Sequence, residues 1–341
     1  MRPILKPQIK VQNEDVKVED LKVEDIGLDL GNRKTKGARY NENNELVLAN
    51  IDNRVQAHAS IDKENSRTIE YNGKSLIVGV GDLNNNIYKH TRDFIMEQTL
   101  VMINELYPNK HTLKVKIKTG IPADHFFNVS YVENLKEKFI TKKWIEYKVT
   151  DVNNVNNLIT KKVYIEDVEI GAEGYSAFMT VGSKVGVRQK ILIVDVGGGT
   201  TDLCSFAYQY ETQSYKPVDV LTIDKGVIDL TSEITNYMND LESADISYDQ
   251  IDYLLRNNIE TVEYGGDEFL IKDYMHIIEP TVSKMINKMT NKFGHLNGYF
   301  IIGIGGGYAT FNAIANKYIK SSVEVDDTVK FYANCIGYLK Q

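Results

Sequence analysis

Three consecutive glycines framed by two aspartates have the clearest chemical potential in this sequence. From Ile191 to Leu203 the chain reads Ile-Leu-Ile-Val-Asp-Val-Gly-Gly-Gly-Thr-Thr-Asp-Leu, so an apolar run ends at Asp195 and a second β-rich run follows the glycines. Without Cβ atoms, successive backbone N–H groups can approach an anion, which favours phosphate. Asp195 can hold Mg²⁺ through its water shell beside such a phosphate. A hairpin that needs glycine for positive φ alone would require only one.

A second segment, from Ile26 to Lys36, repeats this arrangement upstream. It reads Ile-Gly-Leu-Asp-Leu-Gly-Asn-Arg-Lys-Thr-Lys, with Asp29 at the end of a short strand. Alternation along the next β segment lets Lys36 reach phosphate oxygens as a compact positive charge. Because such turns are common, the weight of this motif comes from its pairing with the later one.

A third glycine corner lies near the end of the chain, between Tyr299 and Phe311. An apolar strand is followed by Gly305-Gly306-Gly307 and then by a helix. This arrangement can place a helix N-terminus against a ligand such as a nucleoside and its α-phosphate. A dinucleotide-binding motif would come early in the chain and would carry an acidic residue about 20 residues later. The late position argues against that class of site.

The elements that must position these motifs follow an α/β pattern from Ile26 onward. Apolar runs predict strands near 26–30, 75–80, 113–119, 163–170, 190–196, 203–209, 217–223 and 298–303, and helical periodicity predicts helices over 92–106, 126–140, 226–241, 248–257, 272–292 and 306–319. The polar segment 150–160 predicts an exposed connection or a hairpin tip. With 341 residues, about two domains are expected.

Composition limits the classes of function. A net charge of -7 disfavours direct capture of nucleic acid. The two cysteines, Cys204 and Cys335, form no metal or redox motif, and no apolar stretch predicts a signal peptide or a membrane span, so a cytoplasmic protein is expected. Residues 1–25 contain a near repeat, Val-Lys-Val-Glu-Asp-Leu-Lys-Val-Glu-Asp, which predicts a charged, poorly ordered leader or an edge strand.

The three motifs, in this order, resemble those of the actin, DnaK-chaperone and sugar-kinase superfamily, over nearly all of Ile26–Gln341. The resemblance implies an α/β, two-domain actin-like (ribonuclease H-like) ATPase fold that closes on ATP and Mg²⁺. Domain I is expected over 26–165, with 326–341 returning to it, and domain II over 166–325. The implied metal residues are Asp29 and Asp195, acting through water. The implied nucleotide-binding residues are Asp29, Gly31, Asn32, Lys36, Asp195, Gly197, Gly198, Gly199, Thr200, Gly226, Gly305, Gly306, Gly307 and Phe311.

The superfamily places a catalytic acid or amide at a helix start before the second phosphate motif. The segment Gly171–Phe178 resembles that region and makes Glu173 the candidate that orients the attacking water. Glu169 is a nearby competitor, and Asp202 is a candidate for holding the water. A purely structural role for Glu173 would be that of an acid at a helix N-terminus.

Three further segments resemble the ParM-like actins that segregate bacterial plasmids. They are Lys-Thr-Gly-Ile-Pro at 118–122, Ile-Asp-Lys-Gly at 223–226, and Phe-Tyr-Ala-Asn-Cys-Ile-Gly-Tyr at 331–338. The resemblance implies head-to-tail self-assembly into a filament and a DNA-binding adaptor, with no membrane partner; ATP and GTP both remain open. The alternatives are an MreB-like cytoskeletal protein and a small-molecule phosphotransferase of the same fold. Arg33 departs from the pattern, since a small residue is usual there; it would contact phosphate or point to solvent.

Overall fold

The computed structural model describes residues 17–57, 64–182, 187–242, 245–320 and 325–341. The strands are β1 (Val23–Leu30), β2 (Lys34–Tyr40), β3 (Leu46–Asp52), β4 (Arg54–Gln56), β5 (Arg67–Tyr71), β6 (Lys74–Leu83), β7 (Thr112–Ile121), β8 (Trp144–Asp151), β9 (Asn154–Ala172), β10 (Lys190–Val196), β11 (Thr201–Gln209), β12 (Ser214–Ile223), β13 (Thr261–Tyr264), β14 (Asp267–Leu270) and β15 (Phe300–Ile304). The α-helices are α1 (Ile95–Leu106), α2 (Val129–Glu137), α3 (Tyr175–Val181), α4 (Val227–Glu242), α5 (Tyr248–Arg256), α6 (Ile271–Tyr274), α7 (Glu279–Phe293), α8 (Tyr308–Ala315) and α9 (Asp327–Tyr338).

The first sheet has nine strands in the order β3-β2-β1-β7-β9-β8-β5-β6-β4, with β1, β7 and β9 parallel at its centre. Alternation along β1 places Ile26, Leu28 and Leu30 in one core together with the apolar side of α1. Gly27 and Asp29 therefore face the opposite side of the sheet. That side is the one covered by α9.

The second sheet has four strands in the order β12-β11-β10-β15, with β10 and β15 parallel. Leu192, Val194 and Val196 of β10 pack on the core built with α4, α7 and α8. Ile191 and Ile193 face the other core, which includes residues of α3 and α9. Asp195 follows on this second face by alternation, so Asp29 and Asp195 both end up beside α9.

Helix α9 lies between the two sheets, where it contacts β1, β2, β7, β15 and α3. Glycines permit this close packing. A Cβ atom at Gly27 would lie 2.0 Å from the carbonyl oxygen of Cys335, one at Gly337 would lie 1.7 Å from the carbonyl oxygen of Ser176, and one at Gly120 would lie 2.1 Å from the hydroxyl of Tyr338. Residues 331–338 of α9 thus pack between the two sheets and contact both.

Most predicted elements are found, with shifted ends, but the helix predicted over 272–292 is not continuous before Glu279. The chain there forms α6, a 3-10 turn (Met275–Ile278) and then α7. Pro280 lies in the first turn of α7, where its missing N–H costs nothing, whereas inside a continuous helix it would clash with the preceding turn. The segment 150–160 belongs to the β8–β9 hairpin, the second of the two predicted alternatives. The sequence analysis missed α9 and the strands β3, β4, β5, β8, β13 and β14, whereas α3 begins within the segment Gly171–Phe178, where the resemblance implied a helix start.

The predicted leader lies partly outside the described residues, which begin at Lys17. Val18–Asp20 form a 3-10 turn, and β1 begins at Val23, within the range assigned to the leader. The leader residues Val23–Asp25 pair with β7, whereas the pairing of β1 with β2 begins at Gly27. This part of the leader is therefore a strand and is not poorly ordered.

Both cysteines are free and buried, as expected from their spacing. Burial, the main cause in each case, raises the pKa of the Cys204 thiol to about 12 and also raises that of Cys335. Among the helices of the described ranges, none combines the length and apolarity needed to cross a membrane.

The close contact of α9 with α3 predicts the effect of adding one methyl group. Gly337→Ala should reduce the free energy of unfolding by about 1–3 kcal/mol, because the Cβ must displace backbone at Ser176. Gly298→Ala is the control: open space surrounds that position, and a change within about 0.5 kcal/mol is expected. Urea unfolding of both variants measures the difference. Equal stability of the two variants would contradict the close contact of α9 with α3.

Candidate functional site

A cavity of about 580 Å³ lies between the two sheets. This volume is within the range of small-molecule sites in proteins. Most of the predicted site residues line it: Asp29, Gly31, Asn32, Lys36, Glu173, Asp195, Gly197, Gly198, Thr200, Asp202, Gly305, Gly306 and Gly307. Segments far apart in sequence therefore converge on one cavity.

Two turns meet across this cavity: the first turn, Gly31–Arg33, and the second turn, Gly197–Thr200. A Cβ atom at Gly198 would lie 2.9 Å from the backbone nitrogen of Arg33, and one at Gly199 would lie 2.9 Å from the side-chain carbon of Asn32. None of the three glycines of the second turn has a positive φ. Gly198 and Gly199 are therefore required by the close approach of the first turn, and a simple hairpin that uses glycine for positive φ does not explain them.

Gly226 supports the second turn from behind and does not line the cavity. A Cβ atom there would lie 2.3 Å from the carbonyl oxygen of Gly198. At the start of α4, the N–H of Val227 donates to the Gly197 carbonyl at 3.0 Å, and that of Ile228 donates to the Gly198 carbonyl at 2.9 Å. The prediction that Gly226 contacts the nucleotide is corrected to a role in positioning the turn.

The prediction for Phe311 is also corrected. This residue lies in α8, its side chain is completely buried in the core of the second sheet, and it does not line the cavity. Tyr308, one turn earlier in α8, lines the cavity instead. Residues spaced three apart on a helix share a face only approximately, so the sequence pattern did not separate the two.

Asp29 is held in its charged form by two lysines. Lys36 Nζ lies 2.8 Å from one carboxylate oxygen, and Lys89 Nζ lies 3.4 Å from the other. Burial alone raises the pKa of Asp29, but the positive charges of Lys36 and Lys89 and their hydrogen bonds outweigh it and lower the pKa to about 2. Asp29 therefore carries a compensated negative charge.

Asp195 lies in a different electrostatic environment. Burial raises its pKa to about 7; Glu173 and Asp29 also raise it, and Lys36 and a hydrogen bond from Asn334 oppose the shift. Asn334 Nδ2, on α9, donates to Asp195 Oδ2 at 2.5 Å, and the Asn334 side-chain oxygen accepts from the Gly174 N–H at 3.2 Å. The positive charge near Asp195 is thus too small to offset the cost of burying its ionised carboxylate.

The donor set fits a magnesium ion bound mainly through water. Asp29 and Asp195 present carboxylate oxygens to the same cavity, and oxygen is the ligand that Mg²⁺ prefers. Gly305 has φ +86°, and a Cβ atom there would lie 2.4 Å from Asp195 Oδ1, so only glycine lets the third turn pack against this carboxylate. The described residues contain no group of three His, Cys, Asp or Glu arranged to hold a metal directly. A magnesium ion here would complete its shell with water and ligand oxygens.

Glu173 has a buried partner that the sequence analysis missed. Its carboxylate contacts Lys89 Nζ, and the two side chains are only 8% and 3% exposed. Lys89 also lies 3.3 Å from the Gly120 carbonyl oxygen, and so links Glu173, Asp29 and β7. A short 3-10 turn, Lys89–Thr91, brings Lys89 to the site. Since no sequence motif surrounds this lysine, the sequence alone did not identify it.

Asp202 is engaged by three donors. It accepts from the Ala123 N–H at 2.8 Å, from the Thr222 hydroxyl at 2.6 Å and from the Thr200 hydroxyl at 2.9 Å. Burial is the main cause that raises its pKa well above the usual range. Through Ala123, Asp202 therefore ties the chain that follows β7 to the second sheet, and this role competes with the predicted one of holding water.

Glu169, the competitor of Glu173, lies elsewhere. It is on β9, its side chain is 46% exposed, and it pairs with Lys116 at 2.6 Å. It does not line the cavity. Glu173 is thus the better placed of the two.

Asn32 and Arg33 are both held by other residues. Asn32 Nδ2 donates to the carbonyl oxygens of Asn84 and Asn86, each at 2.9 Å, and Arg92 donates to Asn32 Oδ1 at 2.7 Å. The Asn32 side chain therefore fixes the turn and leaves the backbone facing the cavity. Arg33 neither points to solvent nor is free, since its guanidinium contacts Asp252 of α5.

Substitution of Lys89 should show how much this lysine stabilises the buried carboxylates of Glu173 and Asp29. Lys89→Met should lower the free energy of unfolding at pH 7 by about 3–5 kcal/mol, because Glu173 and Asp29 would keep buried charge with less compensation. Lys116→Met removes an ion pair with the more exposed Glu169 and should cost less than about 1 kcal/mol. Urea unfolding gives both values. Similar losses in the two variants would contradict the role of Lys89.

No family model matches the chain, and no curated protein matches it in sequence. Solved structures do. The archaeal actin homologue Ta0583, also solved in complex with ADP, is 15% identical, with a TM-score of 0.73 over 93% of this chain and 98% of that one. A 15-stranded ParM filament from Clostridium botulinum is 21% identical (TM-score 0.67, 94% and 99% covered), and Bacillus thuringiensis ParM with ATP is 15% identical (TM-score 0.65, 93% and 97% covered). The predicted fold is confirmed: the chain has the two-domain α/β fold of the actin-like proteins, with its cleft between the domains.

Proposed function

We propose that this protein is an actin-like ATPase that binds ATP and Mg²⁺ in the cleft and assembles head to tail into filaments. The observation that carries the proposal is the pairing of two glycine-bearing turns with Asp29 and Asp195 around one cavity. The ADP complex of the archaeal homologue and the ATP complex of Bacillus thuringiensis ParM support the choice of ligand.

Different parts of the cavity bind different parts of the nucleotide. Backbone N–H groups of the first and second turns face the phosphates, and Lys36 adds positive charge beside Asp29. Asp29 and Asp195 would hold a magnesium ion through its water shell, and the ion would supply positive charge beside the transferred phosphate. The third turn and the start of α8, including Tyr308, receive the nucleoside.

Hydrolysis requires an oriented water, and Glu173 is the residue that we assign to it. Its carboxylate lines the cavity and is held by Lys89, while its N–H donates to the Ile121 carbonyl at 3.0 Å. The backbone and the side chain are therefore both fixed. Because phosphoryl transfer depends mainly on positioning and electrostatics, a fixed and charged carboxylate suits this role.

Filament formation follows from the symmetry of the contact. Copies that associate head to tail use two different surfaces, and such a contact extends without closing when the rotation does not form a ring. The filament of the Clostridium botulinum ParM supports this mode of assembly. A role in moving plasmid DNA would need a DNA-binding adaptor, since the net charge of -7 disfavours direct binding to phosphate.

Light scattering and phosphate release, recorded together over a protein concentration series, test the proposal. With ATP and Mg²⁺, scattering should rise above a threshold protein concentration, and phosphate should follow; parallel samples with GTP and ADP give the nucleotide preference. Phosphate release that requires an added small-molecule acceptor and ignores protein concentration would contradict assembly and favour a phosphotransferase. Sedimentation with liposomes would reveal an MreB-like membrane protein.

Glu173→Gln should separate assembly from hydrolysis. The variant should bind ATP and form filaments, but should release phosphate about 100-fold more slowly, since the lost charge acts in the hydrolytic step. Its filaments should outlast those of the wild type. Glu169→Gln is the matched control, because the side chain of Glu169 lies on β9, four residues before Glu173, and is more exposed. This variant should hydrolyse ATP normally. Normal hydrolysis by a folded, ATP-binding Glu173→Gln protein would remove Glu173 from the mechanism.

A further inference from the structure

An ion pair joins the two walls of the cavity at the first turn. The guanidinium of Arg33 contacts the carboxylate of Asp252, with the two side chains 10% and 5% exposed. Arg33 follows β1 of the first sheet, whereas Asp252 is in α5, whose Ile251 and Leu254 pack in the core of the second sheet. The pair therefore spans the cleft and is shielded from water.

Asp252 is shared by two arginines. Arg256 Nη2, one turn further along α5, lies 2.7 Å from the same carboxylate oxygen that Arg33 contacts. Both arginines line the cavity. One carboxylate thus fixes two guanidinium groups, one from each wall, and burial makes the separation of these charges costly.

A second ion pair spans the cleft nearby but is more exposed. Arg54 of β4 donates to Asp249 of α5 at 3.1 Å, and the Asp249 side chain is 61% exposed. Asp249, Asp252 and Arg256 lie at positions i, i+3 and i+7 of the helix, which form one face. This face of α5 is turned toward the basic residues of the first sheet.

We propose that Arg33 is a positioning residue that latches the first turn to α5 through Asp252 and thereby sets the rate at which nucleotide leaves the cleft. The inference rests on the proposed nucleotide-binding function. A ligand held between walls that are joined by a buried pair is released when the walls part, and parting them breaks the Arg33–Asp252 contact. The planar guanidinium suits this shared contact, because it donates to a carboxylate in a fixed geometry.

Release of a fluorescent ADP analogue, chased with excess unlabelled ADP in a stopped-flow instrument, measures the latch. Arg33→Gln should release the analogue about tenfold faster than the wild type, since truncating a buried charge pair acts mainly on dissociation. Asp252→Asn should do the same. The double variant should be no faster than Asp252→Asn alone, because that substitution already removes the Arg33 contact together with that of Arg256.

The sign of the Asp252→Asn effect separates the latch from a direct contact between Arg33 and phosphate. If Arg33 acted mainly by binding phosphate, freeing it from Asp252 would slow the release of the analogue. If the pair acts as a latch, the same substitution accelerates release. Slower release from Asp252→Asn would therefore overturn the proposal.

Arg67→Gln is the matched control. Arg67 pairs with Glu105 at 2.7 Å, both side chains are 12% exposed, and the pair lies wholly on the first-sheet side of the cleft. This variant should lose stability without a change in release rate, and Arg54→Gln should show a smaller acceleration than Arg33→Gln. Wild-type release rates from folded Arg33→Gln and Asp252→Asn proteins that bind the analogue overturn the latch alone. A wild-type protein that does not bind the analogue overturns the proposed function and the latch with it.

Discussion

The contact between the two glycine-bearing turns is the constraint on which the rest of the site depends. Gly198 and Gly199 lie against Arg33 and Asn32 so closely that a Cβ atom at either glycine would overlap the first turn. On the other side of the second turn, a Cβ atom at Gly226 would likewise overlap the backbone of Gly198. Because the two turns are in contact, the residues at the ends of β1 and β10 line one cavity. Substitution of these glycines is therefore expected to alter the shape of the whole cleft and not only a contact with phosphate.

Charge is distributed unequally across this cleft. Lys36 of β2 and Lys89 of the 3-10 turn before α1 both pair with Asp29, so its carboxylate is compensated within its own wall. The second wall supplies Asp195 with a hydrogen bond from Asn334 but with less positive charge. A bound cation would therefore balance mainly the second wall.

Local sequence patterns predicted what local interactions decide. The three glycine corners, the apolar strands that precede them and Glu173 occur in short continuous segments, and the structure brings them together. Lys89, Asn334 and Asp252 were not identified, because their partners are distant in sequence and only the tertiary fold brings them close. Phe311 was misassigned since helical spacing alone does not tell a buried face from a cavity wall. The break at Pro280 was visible in the sequence but was outweighed by the periodicity around it.

The burial of both cysteines has a practical consequence for imaging. Cys204 and Cys335 are shielded by the core and have raised thiol pKa values, so a maleimide dye at neutral pH finds little thiolate to attack in the folded protein. A single cysteine introduced on the surface would then carry the label without removal of the native ones. Such singly labelled molecules would let the proposed filaments be looked for, one at a time, by fluorescence microscopy.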